Sequence, residues 1–388
     1  MNTLLLILFA LAVCTAARAA DWSWQPGFDW RVDHQSNRLL STAQADAGQA
    51  TWLSFGGAIQ RATTDTELSL SPRLTVQRFS EQRDLDSEDG SLALAGKWLR
   101  EYSQFAASAL VSRDSTLATE LAETGIVDLN TRRDLRTATA SWTWSFAPTT
   151  QLDTQFGYTD VEYPDGRRVG LVGYRYPNGS LGLTRQLSDY TSVSLTAYGS
   201  RVEAPAALTI SRSLGLQIGM ARALSPDMQL QLSVGFSDTQ RSNPFASRSD
   251  RSQLWNAQLT RKLQSGQWSF VLERSLAPNG LGVLASRDEA SIDFARMLSA
   301  NFTGSLSVHG IRNAERSVGP FSGEDYRYGY AEAALSRSFL RDWALRASLG
   351  GSEAQHRSIA DTSAHGWYAA LALHWAPAAR PVAAWELP

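Results

Sequence analysis

The chain has 388 residues, with 36 Lys and Arg against 38 Asp and Glu and a formal net charge of −2. It therefore has no basic surface to neutralise a phosphate backbone, which excludes nucleic acid as a partner. Hydrophobic residues make up 43% and charged residues 19%, enough for one large domain or two ordinary ones. Its 13 Trp and 11 Tyr are many for a soluble domain and are the residue types that settle at membrane interfaces.

In chain order, the first element is LLLILFALAV (Leu4 to Val13) followed by ARA at Ala17 to Ala19. An apolar run too short to span a bilayer, ending in a small-x-small site, is expected to be a secretory signal peptide over 1–19. Met1, Asn2 and Thr3 lack the usual positive charge. A lipoprotein signal ending at Cys14 is the alternative, against which Val13 stands where a small residue belongs. Cleavage after Ala19 leaves no cysteine, hence no disulfide or thiol chemistry. Residues 20–26 are expected to be a short periplasmic segment, and 27–376 the main domain.

No later run of eighteen apolar residues offers a spanning helix. Alternation takes its place. A first strand is expected near Phe28 to His34, and Ser71-Pro72 marks a bulge or edge inside a clear strand. DLDSEDG (Asp84 to Gly90) resembles a calcium loop only loosely and reads as a solvated outer link. STLATELAETG (Ser115 to Gly125) has a cap at Ser115 or Thr116 and a glycine stop, predicting a short helix in a long link. In TASWTWSF, Trp142, Trp144 and Phe146 oppose Ser141, Thr143 and Ser145. QLDTQFGY and MQLQLSVGF repeat the pattern, with Ser, Thr, Gln and Gly on the polar face. Such a face suits an aqueous lumen, and an apolar face with aromatic ends suits lipid.

One phrase recurs from Arg185 onward: an arginine, an apolar residue two places later, a turn, and an alternating strand. By subtraction, Arg185, Arg222, Arg261, Arg296 and Arg337 lie 35 to 41 residues apart, the length of one hairpin with a short turn and a longer link. Each shares the parity of its apolar neighbours, so each is expected to point outward near the turn. There a guanidinium can snorkel into headgroups at a cost of about 0–1 kcal/mol. Trp144 takes the equivalent place in the earlier hairpin. These six residues are expected to form a girdle at the periplasmic interface. Tyr198, Tyr326, Tyr328 and Tyr330 have lumen parity and are candidate contacts for a ligand. The last strand is expected to be GWYAALALHW, with Trp367, Leu371, Leu373 and Trp375 outward as an assembly signal, and 377–388 a tail.

The fold expected is all-β, a transmembrane antiparallel up-and-down barrel of about 18 strands, 16 being the alternative, with short periplasmic turns and longer outer links. Its place is the cell outer membrane. Its expected partners are outer-membrane lipid, lipopolysaccharide and the barrel-assembly machinery.

The stretch Ser115 to Gly166 (STLATELAETGIVDLNTRRDLRTATASWTWSFAPTTQLDTQFGYTDVEYPDG) resembles the β-barrel porin family of outer-membrane proteins encoded beside exosortase (PEP-CTERM) and exopolysaccharide genes. That family has a short loop helix ending at glycine, then paired basic residues, then an aromatic hairpin closing in an Asp-x-x-Tyr-like end. VDHQSNRLL stands where the family often carries Thr-Asp-Asn. The resemblance implies service in polysaccharide export or envelope assembly, with an exopolysaccharide as partner.

The search for chemistry finds no catalytic set, cofactor motif or metal site. Ser307 and His309 share the lumen face two residues apart, too far for a nucleophile and base on one strand, so His309 reads as a lumen-lining residue. His34, His356, His365 and His374 are scattered without ligand spacing. No P-loop, dinucleotide fingerprint or nucleophile elbow is present. The leading expectation is a barrel that passes or guides a polar polymer, because the inward tyrosines offer stacking platforms. The alternatives are a general or nutrient diffusion porin, which calls for facing acidic and basic ladders, and a purely structural barrel.

Overall fold

The computed structural model describes residues 21–41, 47–123, 131–314, 325–356 and 362–381. The chain forms β1 (Asp21–Gln35), β2 (Gly48–Ala62), β3 (Thr66–Phe79), β4 (Ser87–Arg100), β5 (Ser103–Ser115), helix α1 (Thr116–Glu123) and β6 (Arg132–Ala147). Next come β7 (Thr150–Glu162), β8 (Tyr174–Ser188), β9 (Thr191–Ala204), β10 (Thr209–Ser225), β11 (Met228–Ser242) and β12 (Ser247–Leu263). The last elements are β13 (Gly266–Pro278), β14 (Leu284–Ser299), β15 (Phe302–Ala314), β16 (Asp325–Leu340), β17 (Trp343–His356), β18 (Thr362–Trp375) and a stub, β19 (Arg380–Pro381).

Every strand from β1 to β18 pairs antiparallel with its sequence neighbours, and β1 pairs with β18 from Phe28↔Trp375 to Gln35↔Tyr368, closing the sheet. Closure leaves no edge whose backbone groups would face lipid unpaired. Strands of 13 to 17 residues exceed the roughly 9–11 needed to cross a bilayer, so their ends stand clear of it.

Alternation decides which way each side chain points. Phe55, Leu92, Phe156, Leu195, Val234 and Leu349 are exposed on the outer surface, apolar groups that only a lipid contact makes favourable. At one end of the barrel, seven of eight connections are two-residue turns, the other being 63–65. At the opposite end the links run from four residues (243–246) to sixteen (116–131). Above the apolar band at the long-link end, outward arginines pair with carboxylates across neighbouring strands: Arg113–Asp134 at 2.7 Å, Arg251–Asp238 at 2.8 Å and Arg312–Asp325 at 2.8 Å.

Three boundaries differ from the expectation. β1 begins at Asp21, not near 27, because β2 runs on to Ala62 and gives Trp22 and Trp24 backbone partners in Arg61 and Ile59. Within the tail, Arg380 and Pro381 turn back to pair with Trp24 and Ser23. The link read at 84–90 lies instead at 80–86, since β3 ends at Phe79 while β4 extends back through the polar residues Ser87 to Gly90, in register with β3 and, at Gly90, with β5. At Ser71-Pro72 the ladder to β2 breaks between Gly56↔Arg73 and Ile59↔Leu70 while the ladder to β4 continues. Proline has no N–H to give on that side. The signal segment, Cys14 and residues 382–388 lie outside the described residues.

Candidate functional site: the barrel lumen

Between β5 and β12 the inner wall is built from hydroxyls and amides that satisfy one another across strands. Ser108 and Thr139 are 2.7 Å apart, and Gln217 donates to Ser233 at 2.6 Å. Asp153 is held by neutral donors, Thr143 at 2.9 Å, Thr184 at 3.2 Å and Gln151 at 3.2 Å. Tyr198 lies flat against this wall. Its hydroxyl donates to the Phe236 carbonyl at 3.2 Å, over Gly215, where a Cβ would stand 2.2 Å from the phenol oxygen. A tyrosine laid on a glycine of the next strand covers backbone that would otherwise be bare.

From β13 round to β3 the wall is charged, and many of its charges pair with a neighbour of opposite sign, although Glu273 stands opposite Glu289 and is held by the Asn256 amide. Glu332 accepts from Arg346 at 2.6 Å and from the Tyr368 hydroxyl at 2.7 Å. Asp33 accepts from Arg38 at 2.5 Å and from the Trp52 indole at 2.7 Å. Glu289 meets Arg287 at 3.1 Å, and Asp29 meets His374 and Arg73. Pairing within one wall cancels the field that separate acidic and basic ladders would set across the lumen.

Three apolar clusters tighten the long-link end. One joins inward ends of β7, β8 and β9 to the 163–173 link through Val161, Tyr163, Leu171 and Val202. A second holds Phe79, Leu85 and Leu117, and a third packs Leu40 on Tyr326, Ala354 and Ala364. α1 starts as expected: the Ser115 hydroxyl accepts from the Leu117 N–H at 3.2 Å, a side-chain cap. From the end of β5 the helix reaches β16, seven pairings away round the shorter arc of the sheet. Its Glu120 is fully buried and accepts from the Tyr163 hydroxyl at 2.6 Å. Burial first, then the Glu120 carboxylate, push the Tyr163 phenol well above its ordinary pKa, so it stays a donor. The links also bond to each other, Val172 N–H to Gly280 carbonyl at 2.7 Å.

Of the tyrosine ladder, all three members have inward register on β16, but they differ in access. Tyr326 is 3% exposed beneath Leu40. Tyr328 packs at the edge of that cluster, and Tyr330 stacks on His309 with centroids 4.7 Å apart. His309 also meets Asp293 at 3.3 Å rather than Ser307. Among the described residues no group of His, Cys, Asp or Glu is placed to hold a metal ion.

The recurring arginine phrase has a structural reason. Arg185, Arg222, Arg261, Arg296 and Arg337 are all exposed at the tight-turn rim, and Trp144 with them. The residue after each arginine donates its N–H to the carbonyl of the preceding turn: Gln186 to Thr149 and Ala223 to Tyr190 at 2.8 Å, Ser338 to Asn301 at 2.9 Å. The next residue is skipped by the register, as at Leu187, Leu224, Leu298, Phe339 and, after Trp144, Phe146. That is a β-bulge; the hairpin of Arg261 closes without one. On β18, Trp367, Leu371, Leu373 and Trp375 share the outward register, Trp375 beside Trp343 with centroids 6.1 Å apart.

The protein is an outer-membrane β-barrel. A closed antiparallel sheet of eighteen strands, apolar outside and polar inside, has no other stable setting. No family model matches the chain and no curated protein matches it. Similar solved structures include OccAB3 of Acinetobacter baumannii, with 10% identity, 92% of this chain and 99% of that one covered, and a TM-score of 0.49. The outer membrane protein OpdK of Pseudomonas aeruginosa has 10% identity, 91% and 99% coverage and a TM-score of 0.49. OccK5 (OpdH) of the same organism has 11% identity, 92% and 98% coverage and a TM-score of 0.48. The fold assignment rests on the strand pairing itself. The sequence reading missed the Glu120–Tyr163 bond, for which no spacing in the sequence is a signal.

Proposed function

We propose that the protein is a diffusion pore for small polar solutes. The observation that carries this reading is the inner face: hydroxyls, amides and mutually paired ions inside a wall of eighteen strands, a number that encloses an aqueous channel in such barrels. The polymer path implied by the family resemblance loses its support, because Tyr326 is buried and Tyr198 is fastened to the wall. Packed links at one mouth suit small solutes better than a continuous chain. The tight-turn rim is the periplasmic one in this reading, with lipopolysaccharide at the other and Trp375 read by the assembly machinery. Swelling of liposomes loaded with the folded protein tests it, using sugars of increasing size. Uptake should fall as the solute grows. Swelling no faster than in bare vesicles for every sugar would refute a diffusion pore.

A further inference from the structure

Inside the tight-turn end, between β6 and β11, lies a cavity of about 380 Å³, within the range of small-molecule sites. Its inward side chains include Gln151, Thr184, Gln186, Ser192, Gln229 and Gln231, with Tyr190 on the lip. Gln186, Gln229 and Gln231 are exposed and, among the described residues, make no side-chain hydrogen bond. Elsewhere on the same wall some polar groups are paired, as in Gln217 with Ser233, while the inward Ser211 and Thr239 hydroxyls are buried outside the lumen path. The only charged residues lining it are Asp189, in a turn, and Arg222, on an outward register position.

We propose that this cavity is a binding site for a neutral polyhydroxylated solute of one or two sugar rings. The inference rests on the pore reading above and names the solute class. Each glutamine amide offers two donors and an acceptor oxygen, a match for adjacent hydroxyls that both give and receive hydrogen bonds. An anion entering the cavity would lose hydration and find no inward cation among its lining side chains, Arg222 standing on an outward register position. Asp153, whose neighbours Gln151 and Thr184 line the cavity, sets a negative charge beside it that further disfavours carboxylates. Tyr190 adds an exposed ring against which a sugar face can stack.

Saturation-transfer NMR on the detergent-solubilised full-length protein tests the site without needing conductance. Maltose should show saturable transfer that weakens about tenfold in affinity, or about 1.4 kcal/mol, in Gln229→Ala/Gln231→Ala. Gluconate should show less transfer at equal concentration. The single variant Gln186→Ala and a heat-modifiable gel shift guard against misfolding. No saturable transfer from maltose, transfer unchanged in the folded variants, or stronger transfer from gluconate would each overturn the proposal. Maltose binding with no swelling would leave the site standing and remove the pore reading instead.

Discussion

The two mouths of this barrel are made by different means. At the tight-turn end, structure is local: all hairpins but one close on two residues, and the backbone of the residue after the arginine or Trp144 is tied to the turn beside it. At the long-link end, structure is distant: Glu120 meets Tyr163, Val172 meets Gly280, and the Arg241 side chain donates to the Leu284 carbonyl. Repeated hairpins shape the first mouth, and packing between links shapes the second. A pore built this way can keep one end constant while the other sets what enters.

Breaking the distant mouth should have the largest effect. Replacing 116–130 by a short Gly-Ser link removes α1 and its reach to β16, and single-channel conductance should rise several-fold with the barrel still heat-modifiable. Unchanged conductance would mean that the helix does not narrow the path. Next in size is Trp375→Asp, which sets a charge in the outward row that meets β1 and β17. Unfolded protein should accumulate, read as loss of the heat-modifiable band.

The contrast also explains what was legible in the sequence. Period-two alternation carried the barrel and the outward register of Trp375, since one parity error flips a whole strand, and chain length at about twenty residues per strand and link carried the strand number. The arginine phrase exposed the tight-turn rim because the two-residue turn that follows each arginine lies within one hairpin. The long-link mouth was opaque apart from the capped helix. Nothing near Tyr326 in the sequence announces that Leu40, with a left-handed φ of 48°, will cover it, and no pattern ties Tyr163 to Glu120. Contacts across the lumen join residues whose spacing carries no period.

Smaller changes sharpen the same comparison. Tyr163→Phe leaves the buried Glu120 without its phenol donor and should cost about 1.5–3 kcal/mol, the worth of a hydrogen bond to a charged group, seen as a lower temperature for the heat-modifiable shift. At the local mouth, Arg185→Ala or Arg222→Ala should change stability by only about 0–1 kcal/mol, as expected of cations near the interface. Cysteines at these two positions should resist an impermeant reagent added outside intact cells. Efficient labelling would reverse the proposed orientation.

The most direct measurement is ion current through purified, folded protein in a planar bilayer. Discrete conductance steps are expected, with similar permeability to K⁺ and Cl⁻ because many of the lumen charges are paired within one wall. Inserted protein that gives no steps, both as wild type and with 116–130 replaced, would contradict a pore.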